Sequence, residues 1–256
     1  MIPIAEFPNF FDPSVITALL TLTVLELILG VDNIIFISIV SNKLPEKQQP
    51  KARTLGLMLA MAFRVLLLFG ITYIIQLTKP VFSIGFIKDE GAPLGISWKD
   101  IILILGGIFL IFKSTLEIHH KLEKVSSNKQ PKAPSAFSAV ILQIVLVDAV
   151  FSFDSILTAV GLVDNVWIMI VAVVISMVLM MLFAGGISRF INKHPTLQIL
   201  ALAFLIMIGM MLVAEGFHQH INKSYIYTAI AFSLIVELIN MRFRKKQESV
   251  TLNNEE

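Results

Sequence analysis

The sequence predicts an all-α polytopic membrane protein: seven transmembrane helices, built as two inverted three-helix repeats plus one C-terminal helix. Three observations predict it. Of the 256 residues 56% are hydrophobic and only 15% charged, against roughly 45–50% and 25% in soluble domains. The apolar residues gather in seven runs close to the ~20 residues a helix needs to cross a bilayer. An acid, five residues, then Asp, a small polar residue and Ile occurs twice, each time inside such a run.

The runs cover 14–40, 52–77, 99–118, 137–160, 166–190, 197–214 and 224–241. Polar breaks separate them. Residues 42–50 contain Pro45 and Pro50. Residues 78–98 hold Pro80, Pro93 and three glycines, and 119–134 are rich in Lys and Ser. Asp164-Asn165, His194-Pro195 and residues 218–223 mark the rest. This gives repeat one (about 14–118), a cytoplasmic linker (119–136), repeat two (about 137–215), an extra helix (224–241) and a cytoplasmic tail (242–256). Residues 1–13 carry Glu6 and Asp12 but no Lys or Arg, so they lack the basic region of a signal peptide, and the first run is expected to be retained.

Lys and Arg set the orientation. The first, third and fifth loops and the C-terminal tail hold fourteen of them; the other loops hold Lys79, Lys88, Lys99 and Lys223. This places the N-terminus outside and the C-terminus in the cytoplasm, which requires an odd number of spans. A net charge of +2 gives no reason to expect nucleic acid as a partner; the partners expected are the lipid bilayer and an ion. There is no cysteine, which excludes disulfides, thiolate metal sites and cysteine nucleophiles.

The two acid patterns organise the rest. Glu26, Gly30, Asp32, Asn33 and Ile34 align with Asp148, Ser152, Asp154, Ser155 and Ile156 at a constant offset of 122 residues. Glu117-x-x-His120 and Glu215-x-x-His218 also correspond, at the ends of the third and sixth runs. Three helices are an odd number, so the second unit must cross the membrane in the opposite sense. Inverted repeats with a polar site at the midplane are a transporter signature. Positions seven apart share a helix face, which groups Glu26 with Asn33 and Asp148 with Ser155; positions six apart diverge by roughly 120°. Convergence of all four acids therefore predicts a kink or an unwound turn near Gly30 and Ser152.

An ionisable group at membrane depth costs several kcal/mol unless paired or hydrated. Arg64, the one basic residue deep in a run, is the candidate counter-ion, enough for one acid but not for four. Carboxylates with Asn33, Ser155 and backbone oxygens form a hard ligand set suited to Mg, Ca or Mn, and no His lies in the membrane core to favour Zn or Cu. The expected metal ligands are Glu26, Asp32, Asn33, Asp148, Asp154 and Ser155. Clustered carboxylates repel one another, so protons can replace an absent cation, which predicts proton-coupled exchange. Glu117, His120, Glu215 and His218 are vestibule candidates, although interfacial acid–His pairs are commonly just solvated. Met180-Met181 and Met210-Met211 read as packing. Gly106-Gly107 and Gly185-Gly186 read as sites of close helix contact.

Residues 25–36, with Asp148-x5-Asp154-Ser155-Ile156-x-Thr158-Ala159-Val160-Gly161, resemble the TerC family of integral membrane proteins. So do Tyr225-Ile226-Tyr227, Phe232-Ser233 and Glu237-x-x-Asn240. The resemblance runs from about Pro13 to Asn240. It implies manganese efflux, with acids matching Glu26, Asp32, Asp148 and Asp154 handling the ion. The function expected is a secondary transporter exporting a divalent cation, Mn2+ by that resemblance, from a bacterium across its plasma (inner) membrane. In this reading Mn2+ is a substrate and no cofactor is required. A non-transporting membrane partner in metal homeostasis or protein insertion is the alternative. An intramembrane aspartyl enzyme ranks below both, since the chain lacks the Gly-x-Gly-Asp signature of such proteases and carries four acids where a dyad needs two.

Overall fold

The computed structural model describes residues 7–89, 92–126, 136–219 and 221–248. Eight helices and one hairpin follow in order: α1 (Pro13–Ser41), α2 (Gln49–Phe69), α3 (Ile71–Gln76), β1 (Pro80–Asp89), β2 (Ala92–Ser97), α4 (Trp98–Ser126), α5 (Phe137–Leu162), α6 (Val166–Lys193), α7 (Pro195–Gly216) and α8 (Lys223–Glu248). All but α3 are long and apolar enough to cross a membrane, which makes seven. The helices outrun the apolar runs because helix formation needs backbone hydrogen bonds, while apolarity marks only the stretch in lipid. Thus α4 continues past Ile118 for two polar turns, where His119 lies 3.4 Å from Glu123 at i,i+4 spacing. Within the basic linker, Lys129 and Lys132 lie outside the described residues.

Local chemistry sets the starts. Asp12 caps α1 by accepting from the Ser14 amide at 2.9 Å ahead of Pro13, and Asn165 caps α6 through the Trp167 amide at 2.9 Å; both satisfy an amide that lacks a helical partner. The expected second run is divided at Gly70, which ends α2 and leaves α3 as a separate short helix. Residues 80–89 and 92–97, which the sequence predicts as loop, instead pair as antiparallel strands. Its second strand feeds α4 through a capping box: Ser97 Oγ accepts from the Asp100 amide at 3.2 Å, and Asp100 Oδ2 accepts from the Ser97 amide at 2.8 Å.

Residue pairs fix the helix directions. α4 and α7 run antiparallel: His218, just beyond α7, meets Asp100, Gly209 meets Gly107, and Gln198 bonds Lys121. α1 and α6 run parallel, with Gly30 against Met180 and Asn42 against Asn192. α2 and α5 are parallel too, with Gly56 against Ile144 and Arg64 against Asp148. These directions match seven successive crossings. Lipid gives helices no hydrophobic reason to associate, so small residues that admit close contact carry the packing. A Cβ on Gly107 would lie 2.5 Å from the Gly209 carbonyl oxygen, and one on Gly106 would lie 2.3 Å from Val150. Gly185 and Gly186 differ from the expectation, since both face open space among the described residues.

The expected unwinding is also absent. α1 and α5 are unbroken through Gly30 and Ser152. Gly30 serves packing: a Cβ there would lie 2.5 Å from the Met180 sulfur of α6. Ser152 stays helical because its hydroxyl donates to Asp148 Oδ2 one turn earlier, at 2.9 Å.

Candidate functional site

Three apolar helices bring three charges together in the core. Glu26 on α1, Arg64 on α2 and Asp148 on α5 are each 2% exposed. Arg64 reaches both acids. Its Nη1 donates to Glu26 Oε2 at 2.5 Å, its Nη2 to Asp148 Oδ1 at 2.8 Å and its Nε to Asp148 Oδ2 at 3.2 Å. The Asp148 contact is the two-pronged fork for which guanidinium suits carboxylate. Asn33 Nδ2 adds a bond to Asp148 Oδ1 at 3.1 Å, and Ser152 Oγ completes the Oδ2 side. Glu26 and Asn33, seven residues apart on α1, thus both reach the cluster, Glu26 through Arg64 of α2 and Asn33 through Asp148 of α5. Ser155 is buried and donates to the Ser152 carbonyl at 3.3 Å.

Satisfaction is uneven. Glu26 Oε1 and Asn33 Oδ1 are buried without a hydrogen-bond partner among the described residues. Such oxygens cost about 1–3 kcal/mol each when left unmade, so the cluster holds acceptor capacity that the protein's own donors do not use. A cavity of about 20 Å³ opens beside it, lined by Arg64, Leu29, Asp154, Ser155 and Tyr227 among others. That is room for about one water molecule. Asp154 therefore faces the same small space as Arg64, six residues along α5 from Asp148. The side chain of Asp32 lies outside the described residues. Among the described residues, no three His, Asp or Glu side chains gather closely enough to hold a metal ion; Arg64 stands between Glu26 and Asp148.

The vestibule candidates divide between the two ends of the α4/α7 pair. Glu117 near the end of α4 pairs with Lys43 at 2.5 Å, and His120 is half-buried one turn on. At the other end Glu215 lies 3.7 Å from Lys99, and His218 Nε2 lies 3.3 Å from Asp100 Oδ2. Sequence reasoning passed over two neighbours of the site. Ser152 was read only as a break point, and Tyr227 only as part of a family resemblance; nothing in spacing connects Tyr227 to Asp154, because α8 reaches that cavity through tertiary packing alone.

The model of the integral membrane protein TerC family matches residues 11–250. The chain belongs to the TerC family. It is 47% identical over 235 residues to the UPF0053 inner membrane protein YoaE of Escherichia coli K12, covering 91% of this chain and 44% of that protein. The UPF0053 protein YegH of the same organism is 46% identical over 230 residues, 90% of this chain and 42% of YegH. A UPF0053 protein of Buchnera aphidicola from Schizaphis graminum is 47% identical over 232 residues, 90% of this chain and 44% of that protein. The chain thus spans less than half the length of these relatives. No solved structure matches it. As a member of the TerC family it is an integral membrane protein, and the Glu26–Arg64–Asp148 cluster is a polar centre of a TerC-family fold.

Proposed function

We propose that this chain is a secondary transporter for a divalent metal cation, with Mn2+ as the substrate, exporting it across a bacterial inner membrane. The observation that carries the reading is the buried cluster itself: acids from α1 and α5 converge, and two buried oxygens beside them lack donors. Oxygen atoms that no donor satisfies, next to carboxylates, suit a hard cation. Glu26, Asn33, Asp148, Asp154 and Ser155, with Asp32, are the ligands proposed. Mn2+ over Mg2+ or Ca2+ rests on the family resemblance. The E. coli relative named an inner membrane protein supports the location, and the Lys and Arg distribution supports an outside N-terminus and a cytoplasmic C-terminus.

The inverted-repeat reading draws support from helix pairing. α1 packs on α6 as α2 packs on α5, while α1 meets α5, α2 meets α6 and α4 meets α7. Exchanging α1, α2 and α4 for α5, α6 and α7 maps these pairs onto one another, as a twofold axis in the membrane plane would, although the α1–α2 and α6–α7 contacts have no counterpart of similar extent. Transport is favoured over aspartyl chemistry because an acid dyad must share one proton at close range, whereas Arg64 sits between Glu26 and Asp148.

Purified protein in liposomes tests the proposal, with Mn2+, Mg2+, Ca2+ and Zn2+ offered in turn at two pH values. Mn2+ flux by protein alone, abolished by Asp32→Asn and Asp154→Asn, is the expected result. No flux of any of the four ions sinks the reading in favour of a non-transporting membrane partner.

A further inference from the structure

We propose that Arg64 is a built-in counter-cation: it competes with the metal ion for the same carboxylate oxygens, and its single positive charge offsets part of theirs when the carrier crosses without cargo. The inference rests on the cation-transport reading above and concerns how that site works.

The geometry points to competition. Glu26 and Asp148 offer four carboxylate oxygens, and Arg64 nitrogens lie 2.5–3.2 Å from three of them. A hard divalent cation binds such oxygens at about 2.0–2.6 Å. The ion and the guanidinium are both cations and repel each other at that range, so binding of the ion favours withdrawal of Arg64 from these oxygens. The cavity beside Arg64 has room for only about one water molecule, so withdrawal of that side chain requires its neighbours to shift, and Asp154 lines the wall it would move along. The ion then gains Glu26 and Asp148 together with Glu26 Oε1 and Asn33 Oδ1, the two oxygens that Arg64 leaves without donors.

Charge gives the consequence. Reorientation of a carrier passes through a closed form in which the site is dry, and Glu26 and Asp148 are 2% exposed here. Two bare carboxylates at that depth would block the passage. Arginine remains charged throughout the physiological range, so Arg64 covers them whenever the ion is absent. The unloaded carrier can then return without a proton or a second ion, so efflux down a gradient of the ion needs no exchange partner, and only export against a gradient needs coupling.

The test compares two modes in liposomes loaded with Mn2+: net efflux into Mn2+-free buffer at equal pH, and exchange of radiolabelled for unlabelled Mn2+. Wild-type protein is expected to show both. In Arg64→Gln the ratio of net efflux to exchange is expected to fall about a hundredfold, the scale set by stripping one partner from a buried ion pair. An unchanged ratio in monodisperse Arg64→Gln protein overturns the proposal, and so does wild-type protein that exchanges Mn2+ without net efflux. If Arg64→Gln does not fold, Arg64→Lys decides, assayed also at a lower pH that keeps a buried amine charged: there its ratio should return to near the wild-type value, and a loss of net efflux that persists at the lower pH refutes the idea. Wild-type protein that shows neither mode refutes the cation-transport reading instead.

Discussion

Asp148→Asn isolates the electrostatic centre with almost no change of shape. Asp148 accepts four hydrogen bonds: two from Arg64, one from Asn33 and one from Ser152. An asparagine has one acceptor oxygen, and its amide must point at a donor in place of the other. Arg64 keeps its bond to Glu26 but loses the charge that held its fork. Breaking a buried pair by removing one partner costs about 3–5 kcal/mol. For a chain of this size each kcal/mol moves the melting temperature by roughly 2–4 °C, so detergent-solubilised Asp148→Asn should melt about 6–20 °C below wild type. Replacing the whole cluster should cost much less than the three substitutions summed, because apolar or neutral isosteres leave no charge stranded. Thermal unfolding followed by tryptophan fluorescence or circular dichroism reads both proteins. If Asp148→Asn shifts the midpoint by less than about 2 °C, the ion pair is not part of what holds α1, α2 and α5 together.

Other outcomes follow from contacts and their absence. Gly107→Val would force the α4 and α7 backbones apart, and should abolish monodisperse protein on size-exclusion chromatography. Gly185→Ala should raise the melting temperature, since a methyl meets nothing there and alanine is favoured over glycine inside a helix by about 1 kcal/mol. Bonds from the Ser14 amide and hydroxyl hold the Asp12 carboxyl below its ordinary value of 3.8, so its support of the α1 start is present at higher pH and fades as pH falls below that value. The protection factor of the Ser14 amide, its exchange rate relative to an unstructured amide at the same pH, should fall in acid, and Asp12→Ala should remove that dependence. In cells, Asp154→Asn should raise internal Mn2+ and lower Mn2+ tolerance, measured by elemental analysis and growth.

The spanning helices were legible because lipid demands an unbroken apolar run, and nothing else in a chain this size produces seven of them. The hairpin at 80–97 was not, because Pro80, Pro93 and three glycines mark a turn-rich segment whether or not its strands pair. Helix ends were blurred for the same reason: hydropathy reports the lipid boundary, and α4 and α8 continue in water. Within the site, spacing placed Glu26 with Asn33 on one face, and the geometry brings both to the cluster. The expected break at Gly30 went the other way because a glycine that weakens a helix and one that admits a neighbour read alike; Met180, 150 residues later, decides which it is. Arg64 stood out as the one deep basic residue, but its two partners depend on α2 lying between α1 and α5, which no local pattern encodes.

The glycine contacts between α4 and α7 bear on motion. Gly107 and Gly209 touch main chain to main chain, and Gly216 sits against the Asp100 carbonyl and Ile104. The two contacts are seven residues apart on α7, about 10 Å along its axis. Two points of close main-chain approach, each flanked by the side chains of Ile104, Ile111 or Val213, leave little room for sliding or pivoting. α4 and α7 are thereby welded into one strut, and shear between halves of the molecule must run along its flanks, where α1, α2, α5 and α6 meet through side chains that can exchange rotamers.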